Sequence, residues 1–271
     1  MGGFFLFQLW TLLFLFIQGL SLDSTIQNDL TDRLEYRHLL LLQVISHVFV
    51  LILPSWLWCK VFGIKDISIY NIPIKWNTLS ICLLILLASF PLVGLSAKLN
   101  QLIPLPEVFR IAEDKVAEMM EKILNTNGLI DQMILFITIA VIPAIGEEWM
   151  FRGIIQNIFK KINNQVWFFV GISAFIFSAF HFQFEGFIPR FILGVVLGLI
   201  YHYTKNLVYP MILHFVFNGS QILILFVTGK DWMEEQNTIS PIGWLDWTTG
   251  VFSVFIIIGL FGYLQKIKTT E

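Results

Sequence analysis

Apolar residues run along this chain in long blocks separated by short polar stretches. The blocks lie near residues 3–20, 38–58, 76–97, 131–150, 165–181, 187–204, 206–227 and 247–265. Each is about the length needed to cross a bilayer core of roughly 30 Å at 1.5 Å per residue. Backbone groups in hydrocarbon must bond to one another, which leaves helices or closed-barrel strands. The blocks are too long for barrel strands of about 9–11 residues. They predict an all-α, polytopic membrane protein with about eight transmembrane helices.

Two stretches do not read as spans. Residues 22–37 are polar and acidic and predict a loop. Residues 105–125 place Phe109, Ala112, Val116, Met119, Met120 and Ile123 at helical spacing, with charges between them. That pattern predicts an amphipathic helix. It either packs over the loop side of the bundle or lies on the membrane and gates entry to it. Trp56, Trp58, Trp76, Trp167, Trp232, Trp244 and Trp247 fall near the ends of blocks, as an aromatic belt requires. The block at 3–20 lacks a positive leader and a small-residue cleavage site, so it reads as a retained first helix. In short loops, Lys60, Lys65, Lys75, Lys160, Lys161, Lys205, Lys266 and Lys268 share one side, which favours cytoplasmic termini. Arg33, Arg37, Arg190 and Lys230 lie on the other side, and the two totals become nearly equal when the amphipathic segment is counted.

Composition agrees with the pattern. Hydrophobic residues make up 56% of the chain and charged residues 13%, against about 25% charged in soluble domains. Net charge is -2, and no basic cluster is long enough to track a phosphate backbone, which excludes nucleic acid as a partner. Cys59 and Cys82 have no metal-ligand spacing, and Cys82, inside an apolar block, reads as a packed core thiol.

Ionisable residues inside a span are costly and mark functional sites. Four positions stand out. Glu147 and Glu148 are adjacent within apolar surroundings, followed by Arg152. Glu148 and Arg152 are four apart, share a helix face and can pair. Glu147 is rotated by about 100° from Glu148 and has no local partner, and a buried carboxylate without a partner suits a general base. His181 closes the block at 165–181. His214 and Asn218 share one face of the next helix but one. Gly194 and Gly198 form a small-xxx-small pattern that lets a helix approach its neighbour closely. Taken singly, each polar group has a plain structural reading: an ion pair, a hydrogen-bonded core histidine, a helix–helix patch. Taken together, a carboxylate, two imidazoles and an amide on three apolar helices predict helices that face one another, since buried polar groups are tolerated when they satisfy each other.

The order Glu-Glu-x-x-x-Arg at 147–152, Phe-x-x-x-His at 177–181 and His-x-x-x-Asn at 214–218 resembles the CPBP family of intramembrane proteases. That family includes the type II prenyl-protein (CAAX) protease, the Ras-converting enzyme, and bacteriocin-processing and immunity relatives. The resemblance covers 131–227 and implies a four-helix catalytic core there. Residues 1–130 would then hold the N-terminal helices and the amphipathic segment, and 228–271 a loop and the last helix. It implies an endopeptidase of a bacterial inner (cell) membrane that acts on a peptide or membrane-protein substrate amid lipid. Glu147, aided by His181, would activate a water. His214 and Asn218 would stabilise the oxyanion, and Glu148 and Arg152 would support them. No cofactor is favoured. Zinc, if present, would sit on Glu147, His181 and His214, although the two-histidine helix motif of zincins is absent. Two rival readings use the same residues. One is a silent chaperone or immunity factor binding a peptide in the same cavity. The other is a transporter with Glu147 as a proton relay, which the lack of an inverted repeat disfavours.

Overall fold

The computed structural model describes residues 36–62, 73–107, 109–110, 113–114, 128–228 and 241–270, and every regular element among them is helical. Helix α1 is Tyr36–His47 and continues through a π segment, Val48–Ile52, into α2, Leu53–Val61. Helix α3 is Trp76–Gln101. The next rod starts as α4, Leu129–Phe136, passes a π segment at Ile137–Val141, and continues as α5, Ile142–Glu148. A second π segment, Trp149–Ile155, leads to α6, Gln156–Ile162. Then come α7, Val166–Phe180, α8, Phe187–Thr204, α9, Val208–Thr228, and α10, Trp244–Thr270.

Among the described residues six helices are long and apolar enough to cross a membrane, which makes this a multi-pass integral membrane protein. The sequence pattern called for eight, and two of those blocks stand apart. The block at 3–20 lies outside the described residues, as do residues 22–35 of the expected loop, whose last two, Tyr36 and Arg37, already belong to α1. The block at 165–181 forms α7, which has 15 residues, about 22 Å of helix and short of a full crossing. It stops early because the chain turns at His181 and Phe182, where Phe182 adopts φ 55°. The block at 131–150 belongs to a longer rod than its apolar run, Leu129–Ile162, 34 residues, with Glu147 near its middle.

Two π segments have a visible cause. Val48–Ile52 precedes Pro54 and Ile137–Val141 precedes Pro143. Proline has no N–H, so the carbonyls four residues earlier, on Val50 and Ile139, lose their helical donors. The ladder widens there: Leu53 N–H donates to Val48 O, and Ile142 N–H to Ile137 O. Such bulges are frequent at functional sites.

The main core joins α3, α7, α8, α9 and α10 through Cys82, Ile85, Leu86, Phe169, Val170, Leu197, Ile200, Leu213 and Leu264, all buried. Lys98 of α3 pairs with Asp246 of α10 at 2.9 Å. Large apolar side chains such as Leu87, Phe175, Phe252, Phe255 and Ile258 face outward, which costs nothing when the surroundings are lipid tails. Trp76, Trp167 and Trp244 are exposed at the starts of α3, α7 and α10, as an interfacial belt requires.

The small-residue stripe of α8 does what its spacing predicts. A Cβ added at Gly194 would lie 3.0 Å from the Ala174 Cβ and 3.2 Å from Phe177, while one added at Gly171 would meet nothing within 4 Å. Gly194→Val is expected to lower unfolding free energy in detergent by about 1–3 kcal/mol, the usual cost of overpacking. Gly171→Ala is expected to leave it unchanged or raise it by up to about 1 kcal/mol, since alanine favours the helix over glycine. Denaturant titration of both variants checks the pair.

Candidate active site

The site is built outward from Arg152. Its side chain is 1% exposed and that of Glu148 is 0% exposed, and the two pair at 2.6 Å across one helical turn. A buried guanidinium needs more than one partner. The second nitrogen donates to Gly194 O at 3.0 Å, and the guanidinium lies over the Phe177 ring at 4.5 Å. The glycine therefore has a polar role that the spacing alone did not suggest: with no side chain, it brings its carbonyl within reach. One turn further on, Gln156 repeats the arrangement by donating to Gly198 O at 3.0 Å.

Glu148 is also the anchor of His214. Its Oε1 receives Arg152 on one side and sits 2.8 Å from His214 Nδ1 on the other. An ionised carboxylate only accepts, so Nδ1 of His214 carries a proton. That fixes the ring with Nε2 turned toward Glu147. His181 is held in the same way by a backbone group: its Nδ1 lies 2.9 Å from Phe177 O and donates to it. Its Nε2 also faces Glu147.

Glu147 is buried, with 6% of its surface exposed, and its two oxygens have different surroundings. Oε2 lies 3.9 Å from His181 Nε2 and 3.8 Å from His214 Nε2 and, among the described residues, has no hydrogen-bond partner. These gaps exceed a direct hydrogen bond and suit a bridging water. Oε1 lies 3.3 Å from Nε2 of His47. The absence of a local partner holds, and the facing of the polar helices is extended by His47, which the residue pattern did not single out. Glu147 has no partner within its own helix, but three imidazoles from other elements surround it.

His47 belongs to this cluster although the residue pattern does not single it out. The signal was present: a histidine within the apolar block at 38–58 is as anomalous as His181. Asn218 is anchored by the backbone of the long rod. Its Nδ2 donates to Ile139 O at 3.2 Å, the carbonyl freed by Pro143, and its second amide N–H remains for another acceptor.

Beyond His181 the chain is clamped. Asn100 of α3 donates to Phe184 O and accepts from Ile188 N–H, both at 2.7 Å. Arg190 donates to the side chain and backbone of Gln183. Of the amphipathic segment, the described residues begin a helical turn at Pro106. They pack on this loop through Phe109 against Phe184 and through Glu113, which accepts from the backbone N–H groups of Phe184 and Glu185. The rest of that segment, most of 105–125, lies outside the described residues. At this rim Glu185 is held above the ordinary carboxylate range by partial burial and by the nearby Glu113 and Asp114 carboxylates.

A profile of the family described as Type II CAAX prenyl endopeptidase Rce1-like matches residues 129–220. Residues 129–220 are thus similar to that family. The matched stretch contains Glu147, Glu148, Arg152, His181, His214 and Asn218 and excludes His47. Among curated proteins, "Uncharacterized protein YpbD" of Bacillus subtilis (strain 168) is 33% identical over 90 residues, 32% of this chain and 42% of that protein. "Membrane-embedded CAAX protease MroQ" of Staphylococcus aureus (strain USA300) is 34% identical over 91 residues, 31% of this chain and 36% of that protein. The chain thus spans less than half the length of the curated relatives it matches. No solved structure matches it.

The cage makes a distinct prediction for Arg152. Arg152→Ala leaves Glu148 buried with its charge uncompensated, a loss of roughly 3–5 kcal/mol. The variant is expected to accumulate poorly in membranes and to unfold early in detergent. Normal accumulation with loss of function alone would place Arg152 in the chemistry and not in the scaffold.

Proposed function

We propose that this protein is an intramembrane endopeptidase, CAAX-protease-like, of a bacterial cell membrane. The observation that carries the reading is the unpartnered Oε2 of Glu147 facing the Nε2 atoms of His181 and His214 inside the membrane. The Rce1-like match over the same helices supports it. A buried carboxylate oxygen with no partner is costly unless something is meant to occupy the space before it.

The geometry suggests the following steps. A water held between Glu147 Oε2 and His181 Nε2 gives a proton to Glu147 as its oxygen attacks the peptide carbonyl. The carbonyl oxygen becomes an oxyanion. Asn218 offers its free N–H, and His214 offers Nε2–H when the ring carries protons on both nitrogens, with Nδ1–H still on Glu148. Glu147 then returns its proton to the leaving amine as the C–N bond breaks. Glu148 and Arg152 act through His214 and not on the substrate.

Zinc deserves a direct comparison. Glu147, His181 and His214 offer suitable donor types, and a bound zinc would polarise the carbonyl and activate the water. The spacing fits less well. Bonds of about 2.0–2.1 Å at tetrahedral angles put ligand atoms about 3.4 Å apart, and these are 3.8 and 3.9 Å apart. The metal-free mechanism uses every residue of the cage, and we favour it.

The test uses purified full chain in lipid nanodiscs and fluorogenic peptides ending in Cys-aliphatic-aliphatic-X, with and without a farnesyl group on the cysteine. Glu147→Gln is expected to abolish cleavage while the protein inserts and folds. A Glu147→Gln enzyme that cleaves as wild type rejects the assignment. Asn218→Ala is expected to lower kcat by about 10²–10³, the cost of one oxyanion donor. Zinc analysis and activity in strong chelator decide the metal question. Stoichiometric zinc whose removal stops turnover would replace the metal-free mechanism and keep the protease. Binding of the same peptides without any cleavage would favour the silent chaperone or immunity reading.

A further inference from the structure

The Glu147 oxygen that faces away from His181 and His214 meets a residue outside the Rce1-like stretch, and that contact is built with some care. His47 ends α1, and its Nδ1 lies 2.9 Å from Gln43 O one turn back. A carbonyl only accepts, so Nδ1 carries a proton and the ring orientation is fixed. Its Nε2 lies 3.3 Å from Glu147 Oε1. With Nδ1 already a donor, that contact needs one more proton, shared between the ring and the carboxylate. When the proton rests on His47, Glu147 is a carboxylate and Oε2 is left as the oxygen that can accept a proton from a water. The terminal torsion of a glutamate is broad and roughly two-fold, so without an anchor the carboxylate plane could swing away from the two other imidazoles.

The backbone around the contact is shaped for close approach. The π segment Val48–Ile52 begins at the residue after His47. A Cβ added at Gly146 would lie 3.1 Å from Ile52 and 3.5 Å from Leu51, so the glycine before Glu147 admits this part of the chain. A second polar tie, Arg37 to Asp131 at 3.0 Å, joins the start of α1 to α4. Ten residues along α1 and sixteen along the other rod, His47 reaches Glu147, so the two rods run parallel and meet at both points.

We infer that His47 is a positioning residue for Glu147, holding Oε1 so that Oε2 faces His181 and His214. This rests on the endopeptidase reading above. His47 touches neither water nor peptide in that scheme and acts through the carboxylate alone.

The test compares wild type, Glu147→Gln, His47→Leu and His47→Gln in nanodiscs with the farnesylated fluorogenic peptide, reading kcat and KM separately beside thermal unfolding. Glutamine places an amide N–H about where Nε2 of histidine lies, so it keeps the hydrogen bond without the charge. His47→Leu is expected to lose roughly 10²-fold in kcat at unchanged KM, the usual cost of a misplaced catalytic group. His47→Gln is expected to recover to within about tenfold of wild type, since a neutral hydrogen bond replaces a charged one. Two results would overturn the inference while leaving the protease intact. One is His47→Leu with wild-type kcat, alongside an inactive Glu147→Gln. The other is His47→Leu and His47→Gln equally slow with equally lowered unfolding temperatures, which would make His47 a packing residue. Cleavage that is the same in wild type and Glu147→Gln would instead reject the endopeptidase reading and this inference with it.

Discussion

A fully buried guanidinium–carboxylate pair is the constraint from which the site follows. Arg152 and Glu148 lie deep in a membrane rod with almost no exposed surface, where an unpaired charge would cost several kcal/mol. Each therefore recruits further partners. Arg152 takes the Gly194 carbonyl and the Phe177 face; Glu148 takes His214. Those three partners come from α8, α7 and α9, the helices that surround the rod. The pair thus does two jobs, joining four elements and fixing the ring of one imidazole. Glu147, the next residue along, is left to face the space they enclose.

Backbone irregularities do the remaining positioning. Pro143 removes a helical N–H, the freed Ile139 carbonyl takes the amide of Asn218, and the widened turn just precedes the carboxylates. Pro54 stands in the same relation to the π segment that follows His47. Glycines at 146, 194 and 198 remove side chains where two backbones must come close. A straight rod with alanines at these places would keep the motif residues and lose their convergence.

Much of this was legible in the residue pattern. The helical class, the boundaries of most spans and the Glu148–Arg152 pair follow from apolar runs and four-residue spacing, and the meeting of Glu147, His181 and His214 from the cost of leaving buried polar groups unsatisfied. What escaped depends on contacts that spacing cannot encode. His47 meets Glu147 across one hundred residues, and nothing local marks it except its apolar setting. The lack of a same-helix partner for Glu147 is readable from spacing; the third imidazole that meets it is not. The shortness of α7 was hidden because hydrophobicity continues to His181 while the helix stops at Phe180. The role of the Gly194 carbonyl was hidden because a small-residue stripe reports closeness and says nothing of hydrogen bonding.

Glu148 dictates the orientation of His214, on which the site depends most, and nitrogen NMR of histidine-labelled protein in nanodiscs tests that directly, without a substrate. The chain has five histidines, which single substitutions can assign. The account requires a proton on Nδ1 of His214, donated to a carboxylate in a strong, charge-assisted hydrogen bond. A His214 whose Nδ1 is bare, with its only proton on Nε2, would contradict it.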